Sequence, residues 1–63
     1  MFEQAVLAEQ FEKLLAKAER AEQMYAGIAD QTDDAHLREQ FQELQREKRR
    51  HVEMTERLLE IVD

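Results

Sequence analysis

The chain has no cysteine, no proline, no tryptophan and no serine, and Gly27 is its only glycine. Without cysteine, neither a disulfide nor a thiolate metal site can staple a small fold together. Without serine, and without a glycine-rich loop, acyl transfer and nucleotide chemistry lack their parts. No apolar run approaches the roughly 18 residues that span a bilayer. The opening Met1-Phe2-Glu3-Gln4 has no positively charged region followed by an apolar stretch, so no secretion signal is expected and cytoplasm is the expected compartment. A shortage of positive charge adds a further exclusion. The net charge is −6 with 38% charged residues, an acidic surface that argues against nucleic acid and anionic membrane as partners.

What remains is helix-forming material. Ala, Glu, Gln, Leu, Lys and Arg dominate, and their side chains lose little freedom in a helix. In the first half, Leu7, Phe11, Leu14, Ala18, Ala21, Tyr25 and Ile28 recur at alternating steps of four and three, a heptad-like seam flanked by Val6, Leu15 and Met24. Glu9 and Lys13 lie away from it in the favourable order for an ion pair one turn apart. The period stops at Ala29, and Asp30-Gln31-Thr32-Asp33-Asp34 has the composition of a turn. Thr32 or Asp33 is suited to cap a new helix, and Asp33 and Asp34 suit the positive end of its dipole. A second seam then runs through Leu37, Phe41, Leu44, Lys48, His51, Thr55, Leu58 and Val62.

The spacing predicts an all-α chain with one domain over residues 1–63: a helix over about 2–29, a turn over about 30–34 and a helix over about 35–62. A connection that short makes the helices antiparallel. A chain of 63 residues cannot bury enough apolar surface alone to offset its ordering entropy. One hairpin leaves half of each seam wet, and two hairpins face to face close a four-helix bundle, so a homodimer is expected. The expected oligomer interface is Leu7, Phe11, Leu14, Ala18, Ala21, Ile28, Leu37, Phe41, Leu44, Leu58 and Val62. Phe2, Val52, Leu59 and Ile61 fall off or at the edge of these stripes.

The middle of the second seam is polar. Lys48, His51 and Thr55 occupy positions where Leu or Ile packs best, and Tyr25 joins them as a core polar layer facing small Ala18 and Ala21. Buried charges are costly unless paired, so Lys48 is expected to pair with Glu22 or with Glu47 of a second copy. Glu47 and His51 are one turn apart, the spacing at which bundle helices hold metals, and Glu22 lies at the edge of the facing seam. Glu47, His51 and Glu22 are therefore the candidate ligands for iron, manganese or zinc. The other reading makes His51 a hydrogen-bonded residue that fixes register. His36 is expected at the surface, and the run Arg46, Lys48, Arg49 and Arg50, interleaved with Glu43, Glu47 and Glu53, on a solvated, salt-bridged face in preference to an anion or nucleic-acid site.

Tyr25, the acidic turn, Leu37-Arg38-Glu39-Gln40-Phe41, Leu44, Glu47 and His51 resemble the core hairpin of ferritin-like proteins of the rubrerythrin type, over most of residues 14–60. That resemblance implies a half-bundle that pairs, with carboxylate ligands seven residues before the Tyr and three before the His. Here those positions are Ala18 and Lys48, so the ligand set is degenerate and the resemblance implies the architecture without the di-iron site. Three functions follow as expectations. The first is a non-catalytic helical assembly protein without a cofactor. The second is a metal-binding bundle with ligands shared across a homodimer. The third is a regulatory hairpin that docks a partner's helix.

Overall fold

The computed structural model describes residues 3–62, and Phe2, one of the off-stripe apolar residues above, lies outside them. Two helices, α1 (Gln4–Gln31) and α2 (Ala35–Val62), each of 28 residues, pack against one another. No strand is present among the described residues. At 1.5 Å per residue each helix is about 42 Å long, and the molecule measures 48 × 15 × 13 Å.

The turn between them is shorter than expected, since α1 runs past Ala29 to Gln31. Thr32 ends the helix. Its backbone is extended (φ −88°, ψ 122°), its N–H donates to the Ala29 carbonyl at 3.3 Å, and its hydroxyl donates to the Ile28 carbonyl at 2.6 Å. The N-terminal cap of α2 is Asp34, not Thr32 or Asp33. Its Oδ1 accepts from the His36 N–H at 2.9 Å and the Leu37 N–H at 3.0 Å, two donors the helix itself leaves unpaired. Thr32 is unavailable for that role because its hydroxyl is turned back onto α1. Arg38 then reaches back and donates from Nε at 3.1 Å and Nη2 at 2.8 Å to the Thr32 carbonyl, placing a cation at the negative end of α1. At the far end the Gln4 side-chain amide donates to the Val62 carbonyl.

The contact between the helices follows a heptad, rotated slightly from the stripe read off the sequence. Phe11, Ala18 and Tyr25 on α1, and Phe41, Lys48, Thr55 and Val62 on α2, are half-buried along its centre. The Tyr25 and Phe41 rings stack, with centroids 6.3 Å apart. On one side the seam is flanked by Ala8, Leu15, Glu22 and Ala29 facing Gln45, Val52 and Leu59. This flank closes. It holds the only two fully buried residues among those described, Ala29 at 2% and Val52 at 3% exposure. Val52 and Leu59, expected at the margin, are inside because a two-helix contact uses both neighbours of its central row, not one. Ile61 does remain outside, at 77% exposure.

The other flank stays open. Leu7, Leu14, Ala21 and Ile28 face Leu37, Leu44, His51 and Leu58; all of these but His51 belong to the surface expected to meet a second chain, whereas Phe11, Ala18, Phe41 and Val62, also expected there, lie along the contact within the hairpin. Leu14 is 53% and Leu37 46% exposed, with Leu58 and Met54 beside them also exposed.

Candidate functional site

The middle of the open flank is a groove of about 430 Å³. Its α1 wall is Leu14, Lys17, Ala18 and Ala21, and its α2 wall is Lys48, His51, Met54, Thr55 and Leu58. Helical spacing puts these side chains on one face, and the hairpin brings the two faces together. Ala18 and Ala21 line it with methyl groups, too small to fill the space between the walls. Lys48 lies on the shared seam and is half-buried, while His51 is exposed on the rim. His51 is thus not a central core residue. Its position falls on the open side of the seam, where the single chain offers nothing to cover it.

The polar layer separates into parts with different partners. The Thr55 hydroxyl donates to the His51 carbonyl at 2.8 Å within its own helix. Tyr25 lies nearer the turn, against Phe41, and no hydrogen bond among the described residues uses its hydroxyl. The expected Lys48–Glu22 pair does not form. Glu22 belongs to the closed flank and pairs with Arg49 at 3.7 Å, and Arg49 also meets Glu53 at 3.4 Å. Of the expected salt-bridged face, Arg49–Glu53 is the pair formed among the described residues, while Lys48 lies on the seam and lines the groove; the expected Glu9–Lys13 pair forms at 3.7 Å. His36 is exposed beside the turn, as read.

Within one chain the candidate metal ligands are not brought together. Glu22 and His51 sit on opposite flanks, and Glu47 is exposed and does not line the groove. No group of three or more His, Asp or Glu side chains among the described residues is placed to hold a metal ion. A di-iron centre does not fit the residues present at the resemblance's ligand positions. Ala18 has no donor atom and Lys48 brings a cation to the place of a carboxylate. No described helix is long and apolar enough to cross a membrane.

Sequence reasoning passed over Lys17 and Met54. Lys17 is three residues after Leu14, which projects it over the groove, and Met54 is three after His51. The helical wheel held the signal, since both stand one step outside the open flank. No family model, no curated protein and no solved structure matches this chain.

Proposed function

We propose that this chain is a non-catalytic helical assembly module that pairs with a second copy, open flank to open flank, to close a four-helix bundle of ferritin-like architecture. The observation that carries the reading is the surface left uncovered. The chain exposes 5109 Å², whereas a folded monomer of its 7.5 kDa exposes about 4,200 Å². The excess is close to the roughly 800 Å² that each partner buries in a standard interface. Shape agrees with area. The radius of gyration is 14.6 Å, against about 10.6 Å for a compact chain of this length. Among the described residues, four of the exposed large apolar side chains, Leu14, Leu37, Met54 and Leu58, lie on or beside one flank.

A second copy is favoured over an unrelated helix because a two-fold axis through the middle of the flank sets Ile28 and Leu37 of one copy against Leu7 and Leu58 of the other, apolar to apolar at both ends of the rod. No groove residue is positioned as a nucleophile with a base, since His51 has no carboxylate beside it in the groove lining. Assembly therefore stands as the function, not turnover. Sedimentation equilibrium of the untagged chain between about 1 and 100 µM tests it, the upper range being where a standard interface associates. The expected result is twice the chain mass, with helicity falling as the dimer dissociates on dilution. A fully helical monomer across that range overturns the reading and passes the open flank to a partner's helix.

A further inference from the structure

We draw no further inference here: the strongest candidate, the groove on the open flank lined by Lys17, Lys48 and His51, belongs to the face already proposed to pair with a second copy, and nothing in the structure shows what covers it.

Discussion

The two flanks of the hairpin share one central row of residues and have opposite fates. On the closed flank, Ala29 and Val52 are fully buried and Glu22 is held by Arg49 across the helices. On the open flank, Leu14, Leu37 and Leu58 face solvent, although the closed flank holds Ala8, Glu22, Ala29 and Gln45 beside Leu15, Val52 and Leu59. Local packing therefore cannot be what placed the leucines. That the bulk lies on the open side is the mark of a surface shaped for another surface.

The strongest way to break the contrast is a charge at the centre of the open flank. Leu14→Asp should convert the dimer to monomer and remove most of the helical signal, because pairing supplies the burial that a lone hairpin lacks. Sedimentation and far-ultraviolet circular dichroism on one sample check it. If only the closed flank mattered, an exposed Leu would tolerate Asp within about 0.5 kcal/mol. Val52→Ala probes the other side. Loss of two buried methyl groups should cost about 2 kcal/mol, seen in urea unfolding at fixed protein concentration, while the mass remains dimeric.

How these flanks could be foreseen depends on what each residue contributes. The seven-residue spacing of Phe11, Ala18 and Tyr25 and of Phe41, Lys48 and Thr55 announced two helices and a shared row, because heptad spacing admits one seam per helix. Leu7, Leu14, Leu37 and Leu58 were legible as apolar. Nothing in the spacing separated the half of the stripe that meets the other helix from the half that does not. That choice rests on a small rotation of the helices toward the closed side, where Leu15, Ala29, Val52 and Leu59 are buried or half-buried. The cap went to Asp34 because Thr32 found an acceptor behind it, a competition between two neighbouring polar residues that propensity alone does not rank. Lys17 and Met54 were missed for a simpler reason. Long side chains cover ground one turn beyond their own position, so a groove's rim draws on residues a wheel counts as outside.

Two smaller effects sharpen the boundary between the flanks and the elements that carry them. Asp34→Ala removes the acceptor of the His36 and Leu37 N–H groups and should cost about 1 kcal/mol, lowering the thermal midpoint without changing the mass. Gly27→Ala acts in the opposite direction. Gly27 is exposed within α1, and a methyl group added there meets nothing within 4 Å. The substitution should therefore stabilise by about 0.4–1 kcal/mol through helix propensity and a stiffer unfolded chain. A thermal melt that showed no gain, or a loss, would place Gly27 against a surface the single hairpin does not contain.

Because the chain is free of cysteine, a single introduced thiol reports the covering of the open flank without background. Leu14→Cys and Ala16→Cys both place a thiol at a site that is exposed in one hairpin, the first on the open flank and the second on the outer face of α1. Alkylation of each is followed over a dilution series. Pairing of open flanks gives a slow rate for Leu14→Cys that rises to the Ala16→Cys rate as the protein is diluted. Equal rates at every concentration, with helicity retained, would mean that nothing covers that flank.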